Sequence, residues 1–366
     1  MNLSSTLAPM KAWKTDTKIP FCLGADVGAS GARFRFTNFF DPTKFIELNK
    51  IPLSSASDFY GAIDTIRKEI KDNLPEAICR GAAYAIAGLR GKGSVCLNNW
   101  MGHDRTIYHS KINTFLSPIN HSLIINDLEA GAYGIVSSSK QGNYSSYFKK
   151  LFGPENSSLI STTANTAILG MGSGLGAALI TNNKATNSPI VVSTEMGYLQ
   201  IPTSGVNNQT HLLDDAIVRF ASNHYYQGVY SPGFEDLASG RGLIVDYLFF
   251  GGKPNVDSTE ISELAKGGDT SAKMAMKQHY LYFTRCAKQF AVTMKCGSIL
   301  MALVNQVKNK WIIEEIAEEM EQEFKRYSRP ELVNEVSLYT QIKECNFNLI
   351  GASYMAHLAA NGCTHL

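Results

Sequence analysis

An aspartate, a serine and closely spaced glycines share one turn near the start of the chain, Asp26-Val27-Gly28-Ala29-Ser30-Gly31. Backbone N–H groups in such a turn can face an anion. The Ser30 hydroxyl adds a donor, and Asp26 can hold a metal ion. After the turn, Ala32 to Thr37 alternates small or apolar residues with polar ones, the period of a strand. Before it, Ile19, Phe21, Cys22 and Leu23 read as another strand. The turn therefore joins strand to strand, whereas dinucleotide folds and P-loops join strand to helix at their glycines. The alternative is a tight hairpin with no ligand. A second turn of the same build, Gly170-Met171-Gly172-Ser173-Gly174-Leu175-Gly176, lies between Thr166-Ala167-Ile168-Leu169 and Ala177-Ala178-Leu179-Ile180. Two such hairpins in one chain imply a duplicated scaffold whose halves each present a phosphate loop.

Carboxylates and amides supply the rest of the candidate chemistry. Asn126-Asp127 falls where a buried strand gives way to a helix, and catalytic groups of open α/β folds concentrate at strand ends. There Asp127 can act as a general base, taking the proton of a substrate hydroxyl as its oxygen attacks phosphorus. A helix N-cap is the competing role for it. Glu195 follows the apolar run Ile190-Val191-Val192, and Glu235 opens the segment Glu235-Asp236-Leu237-Ala238-Ser239-Gly240-Arg241-Gly242-Leu243. Charged acceptors bind sugar hydroxyls strongly, and surface or capping positions are the alternative for both. Asn98-Asn99-Trp100 offers amides that both donate and accept, with a turn packed on Trp100 as the alternative.

The elements that must position these groups read as a mixture of strands and helices, which argues α/β. Phe59, Ile63, Ile66, Ile70 and Leu74 recur at helical spacing. Ile78 to Gly88 and Leu123 to Ile125 read as buried strands, and Asp127 to Ile135 as a helix. Residues 137–165, rich in Ser, Asn, Gly and Lys, read as a long surface excursion. From Leu212 onward the chain reads as mostly helical, with Asp257-Ser258-Thr259-Glu260 as a capping signal. Ser271 to Lys295 and Phe347 to Ala359 read as helices. The acidic stretch from Glu314 to Glu323 reads as a solvated helix face.

Composition excludes several classes. With 366 residues the chain can form two domains, and 44% hydrophobic with 18% charged residues marks it as globular. A net charge of +2 without a basic stripe gives no case for nucleic acid as a partner. The seven cysteines are odd in number and form no C-x-x-C pair, which fits reduced thiols in the cytoplasm better than disulfides or zinc. Residues 1–17 contain no long apolar core, so no signal peptide is expected. No apolar run is long enough to cross a bilayer, so no membrane partner is expected.

Taken in order, these segments resemble the bacterial-type (group A) glucokinases of the actin–hexokinase–Hsp70 superfamily, which include protist members. The resemblance runs from about residue 20 to the terminal helix. It rests on Gly24 to Arg33, Leu123-Ile124-Ile125-Asn126-Asp127-Leu128-Glu129-Ala130-Gly131, Gly170 to Gly176, Glu195-Met196-Gly197 and Glu235 to Leu243. It implies an α/β fold of two actin/hexokinase-like (ribonuclease H-like) domains around a cleft. The small domain would comprise residues 18–125 plus 350–366, and the large one residues 126–349. The resemblance also implies transfer of the ATP γ-phosphoryl group to the 6-hydroxyl of glucose, as in glycolysis. Asp127 matches the catalytic base. Asn126, Asn99, Glu195, Tyr198 and Glu235 match sugar contacts. Gly28, Ser30, Gly172, Ser173 and Gly174 match phosphate-loop positions, and Asp26 matches the acid that holds Mg²⁺ through water. The family resemblance further implies a homodimer.

The chain departs from the family pattern at four places. Gly28-Ala29-Ser30 replaces Gly-Gly-Thr, Tyr198 stands where His is common, and Ala87-Gly88-Leu89-Arg90 replaces Ala-Gly-Pro-Val. In the turn Met301 to Gln306, Leu303 and Val304 occupy the places of a glycine and a polar residue. Bulk there would crowd adenosine, so a sugar-binding pseudokinase with a sensing role is the second reading. A nucleotide-dependent oxidoreductase is the third, and the strand-to-strand turns argue against it.

Overall fold

The computed structural model describes residues 3–362 apart from 29, 98–99, 141, 143, 162, 184–187 and 203–208. It divides into two units, Met1–Asn143 with Asn346–Leu366, and Tyr144–Cys345.

In the first unit the apolar strand β1 (Ile19–Gly28) is buried almost throughout, which places it inside a sheet. It turns back antiparallel into β2 (Gly31–Asn38), with Gly28 opposite Gly31. The outer strand on that side is β3 (Phe45–Glu47). On its other side β1 runs parallel to β4 (Ala77–Ile86), which runs parallel to β8 (Ser122–Asn126). A small antiparallel sheet of β5 (Leu89–Gly91), β6 (Ser94–Cys96) and β7 (Thr106–Tyr108) interrupts the passage from β4 to β8. The Ala56–Asn73 helix buries Phe59, Ile63, Ile66 and Ile70, as their spacing predicts.

The helix that starts at Asp127 runs to Lys140 and packs against the terminal helix Phe347–Ala360. The approach is so close that a Cβ on Gly351 would lie 1.7 Å from the Ala130 carbonyl oxygen. Asp127 and its helix therefore belong to the first unit. The division falls after this helix, at residue 143, where the sequence places it at 125.

The second unit repeats the plan. β10 (Asn165–Met171) turns into antiparallel β11 (Leu175–Asn183), and β12 (Ser188–Thr194) lies outside it. On its other side β10 runs parallel to β13 (Cys296–Ala302), and β13 runs parallel to β14 (Ser337–Gln341). Strand order β3-β2-β1-β4-β8 in one unit thus matches β12-β11-β10-β13-β14 in the other. The duplication seen in two hairpins extends through each sheet.

Three sequence expectations need correction here. The stretch 137–165 is no mere surface excursion, because β9 (Phe148–Phe152) pairs antiparallel with β14 and Phe152 packs on Phe324 with ring centroids 5.3 Å apart. The largely helical C-terminal half contains β13 and β14. Buried on both faces, they lack the alternation that marks a half-exposed strand. The acidic stretch is not wholly solvated either. Glu323 is largely buried and paired with Arg285 at 3.1 Å and Lys288 at 3.0 Å. Burial alone would raise its carboxyl, but those two cations hold it below the usual carboxylate range.

Capping follows the sequence elsewhere. Asp257 accepts the N–H groups of Thr259 and Glu260, both at 2.8 Å, to start the Ser258–Lys266 helix. The long helix spans Thr270–Met294 and ends at Lys295 in the left-handed conformation. Among the described residues no helix is long and apolar enough to cross a membrane.

Candidate active site

In the first unit Asp26 lies two residues before the turn, at the sheet end of β1 where side chains emerge from the core. Its side chain is 15% exposed and sits 4.0 Å from the Arg33 guanidinium. Asn346 donates from Nδ2 to Asp26 Oδ2 at 2.8 Å, while its own Oδ1 accepts the Leu349 N–H at 3.0 Å and caps the terminal helix. One amide thus fixes both the helix start and the acid. Burial raises the Asp26 pKa. The Asn346 amide, Arg33, the Asn348 amide and Lys50 act in the opposite direction. At the turn itself, a Cβ on Gly28 would meet nothing within 4 Å, so the backbone there is open to a ligand. Ser30 accepts a hydrogen bond at Oγ from Lys50 Nζ at 2.6 Å. Ala29 lies outside the described residues.

At the end of β8, Asn126 Oδ1 accepts the N–H groups of Leu128 at 2.9 Å and Glu129 at 3.3 Å. The cap of the helix is therefore Asn126, which replaces the capping role that the sequence left open for Asp127. Glu129 Oε2 receives Arg90 Nη1 at 3.0 Å and faces the Asn126 N–H at 3.5 Å. Arg90, one of the departures from the family pattern, thus ties β5 to the strand end that carries Asp127. Burial raises the Glu129 carboxyl and Arg90 offsets part of that. Asn99, expected from the sequence to be a sugar contact, lies outside the described residues with Asn98. Trp100 is buried in the core of the unit.

In the second unit the hairpin turn closes through the Gly172 N–H to the Gly174 carbonyl at 2.8 Å, around Ser173. The Gly240 N–H donates to the Gly172 carbonyl at 2.8 Å. Glu235 lies directly against this turn. Its Oε2 accepts the Leu175 N–H at 3.0 Å, and a Cβ on Gly174 would come within 2.7 Å of that oxygen, so a side chain there would displace the Glu235 carboxylate. Its Oε1 accepts from Arg241 at 2.8 Å, and the same guanidinium nitrogen donates to Asp236 Oδ1 at 3.0 Å. Neither a surface nor a capping glutamate, Glu235 links the hairpin to Arg241.

Glu195 emerges where β12 ends beside β11, with Thr194 opposite Ala177. Tyr198 closes the same short turn by donating its N–H to the Glu195 carbonyl at 3.0 Å. Burial, and then the Glu235 charge, raise the Glu195 carboxyl. Burial and the same Glu235 charge raise the Tyr198 hydroxyl. Glu195, Tyr198 and Glu235, distant in sequence, thus share one electrostatic neighbourhood.

The altered turn also belongs to this neighbourhood. Leu303 has φ 85° and ψ 158°, a region nearly restricted to glycine. Its N–H donates to Gln341 Oε1 at 3.0 Å, and its Cδ1 would lie 3.8 Å from a Cβ on Gly172. Asn305 Nδ2 donates to the Met171 carbonyl at 3.1 Å. A cavity of about 290 Å³ opens beside the hairpin, lined by Met171, Gly240, Ser258, Ser262, Lys266 and Asn305 among others.

Among the described residues no group of three or more His, Cys, Asp or Glu could hold a metal ion. One carboxylate near a phosphate loop suits Mg²⁺, which keeps its waters and takes its remaining ligands from phosphates. Sequence reasoning did not single out Asn346, Lys50, Arg241 or Glu129. Arg241 and Glu129 stand inside quoted motifs, whereas Asn346 is joined to its site by folding alone.

A glucokinase family model matches residues 23–302, from the first hairpin through β13. The chain belongs to the glucokinase family. It is an ATP-dependent hexose kinase that phosphorylates glucose. It is 35% identical over 368 residues to glucokinase 1 of Trichomonas vaginalis, covering 96% of this chain and 97% of that one. The probable glucokinase 2 of the same organism is also 35% identical, over 364 residues, covering 95% and 96%. A crystal structure of glucokinase from Balamuthia mandrillaris in complex with glucose superposes with a TM-score of 0.88 at 25% identity, covering 97% and 98%. These matches bear out the glucokinase resemblance and its α/β sugar-kinase fold, and they lend no support to a pseudokinase. The two hairpins of this glucokinase-family chain join strand to strand, as the exclusion of a dinucleotide fold requires.

Proposed function

We propose that Asp127 is the general base of the glucokinase reaction. The observation that carries this is its position at the carboxyl end of the parallel strand β8, on a helix capped by Asn126. The Asp127 carboxylate takes the proton of the glucose 6-hydroxyl. That oxygen bonds to the γ-phosphorus as the bond from phosphorus to the β–γ bridging oxygen breaks. ADP leaves with the electron pair, and glucose 6-phosphate forms.

By the family resemblance, Asn99, Asn126, Glu195, Tyr198 and Glu235 are read as contacts to sugar hydroxyls. In this reading Glu195 is the principal acceptor, because Glu235 already receives Leu175 and Arg241. Gly28, Ser30, Ser173 and Gly174 offer N–H and hydroxyl groups to phosphates, while Gly172, whose N–H closes its own turn on the Gly174 carbonyl, leaves no side chain in their way. Asp26 would hold a magnesium ion, which when bound would offset phosphate charge. The working form is a cytoplasmic homodimer, a reading supported by family resemblance and tested by the mass in sedimentation equilibrium.

Phosphorus NMR of the product tests the regiochemistry. Incubation with glucose and Mg-ATP should give the 6-phosphate. A 1-phosphate, or ADP formed equally without glucose, would contradict the proposal.

A further inference from the structure

Lys50 belongs to no motif in the sequence, yet the fold holds it against the first hairpin. Ala32 and Ile51 exchange both backbone hydrogen bonds at 2.9 Å, which fixes the segment carrying Lys50 alongside β2. The side chain then runs back along the turn. A Cβ on Gly31 would come within 3.1 Å of Lys50 Cε and 2.3 Å of the Ile51 carbonyl oxygen. It ends with Nζ 2.6 Å from Ser30 Oγ.

The chemistry of this contact is directional. By accepting a hydrogen bond from the ammonium, Ser30 Oγ leaves its own O–H to donate elsewhere. The ammonium has three protons and Ser30 uses one. The other cation at the hairpin, Arg33, stands opposite Asp26 in the strand register and 4.0 Å from its carboxylate. Lys50 also acts on Asp26, and its ammonium beside Ser30 places it to meet an anion at the turn. The exposed face of Gly28 leaves room for that anion to approach the backbone.

We propose that Lys50 binds the phosphate chain of the donor nucleotide, its ammonium steered by Ser30 and donating to phosphate oxygens beside the first hairpin. The proposal rests on the reading of that hairpin as a phosphate loop. Positive charge there stabilises the phosphates in the ground state and the charge that shifts onto the leaving diphosphate during transfer.

Calorimetric titration of the full chain with Mg-ATP and with adenosine tests it, using Lys50→Met and Gly28→Val. Methionine preserves an unbranched stem along the turn and removes the charge. Lys50→Met should weaken Mg-ATP binding about tenfold or more, the scale of one charged hydrogen bond, with adenosine binding changed less than twofold. Equal Mg-ATP affinity in Lys50→Met and the unaltered chain would overturn the proposal. So would a parallel loss for adenosine, which would mark a structural role. Gly28→Val separates the two readings, because a Cβ there meets nothing within 4 Å in the fold, whereas a ligand at the turn would meet the side chain. Weakened Mg-ATP binding in Gly28→Val with none in Lys50→Met removes Lys50 alone. Unchanged binding in Gly28→Val removes the phosphate-loop reading and the proposal with it.

Discussion

Asn126 accepts the Leu128 N–H at 2.9 Å, so the helix that begins with Asp127 is capped by the residue before it. The two neighbours therefore have separable duties. Asn126→Ala should cost about 1 kcal/mol of stability, the usual loss for an N-cap. Asp127→Asn, which leaves that cap in place, should cost less. Urea midpoints measure both, and a larger loss for Asp127→Asn than for Asn126→Ala would contradict the assignment.

Glu195 and Glu235 lie close enough that one raises the pKa of the other, but Glu235 is already committed to Leu175 and Arg241. Glu195→Gln should therefore raise the KM for glucose by roughly tenfold, the scale of one hydrogen bond to a charged group, and leave the KM for ATP unchanged. Steady-state kinetics in each substrate checks this. An effect on ATP alone would place Glu195 on the nucleotide side.

Leu303 occupies backbone space that suits glycine. Alanine at this position keeps the conformational penalty and loses side-chain packing, whereas glycine loses packing without the penalty. Leu303→Gly should be more stable than Leu303→Ala by about 1 kcal/mol, the reverse of the order seen in helices and strands. Thermal melting of the pair decides it, and alanine being the more stable would contradict the strain.

Burial holds the Asp246 carboxyl well above its ordinary range, and neither oxygen has a hydrogen-bond partner. The folded chain keeps a proton that the unfolded chain releases above pH 3.8. With more protons bound in the native state, stability falls as pH rises above that value. Asp246→Asn removes the ionisation. It should raise stability at pH 7, with the gain shrinking toward pH 4 by up to about 1.4 kcal/mol per pH unit. Urea unfolding across this range measures the slope, and a gain independent of pH would contradict the linkage.

The sequence disclosed what depends on local chemistry. Strand–glycine–strand patterning located both hairpins, and helical spacing located Phe59, Ile63, Ile66 and Ile70. Burial on both faces concealed β13 and β14, because their polar residues (Ser298, Ser337, Thr340 and Gln341) are buried along with the apolar ones and leave no alternation to read. β9 was hidden for another reason. A polar surround masked a short edge strand, and the β14 partner that defines it lies far along the chain.

Site residues divided in the same way. Asp127, Glu195 and Glu235 stood out as carboxylates in motifs. The Asn346 contact to Asp26 spans 320 positions and exists only through the packing of the terminal helix on β1. Leu303 drew notice only as a departure from a family pattern, while its backbone conformation is a property of the folded turn.

The most direct test of the account is glucose-dependent ADP formation by the unaltered chain and by Asp127→Asn, with glucose binding measured on the same samples. The account predicts glucose-dependent turnover in the first, and a loss of roughly a hundredfold to ten-thousandfold in the second while glucose still binds. Turnover in Asp127→Asn within a few-fold of the unaltered chain would contradict it.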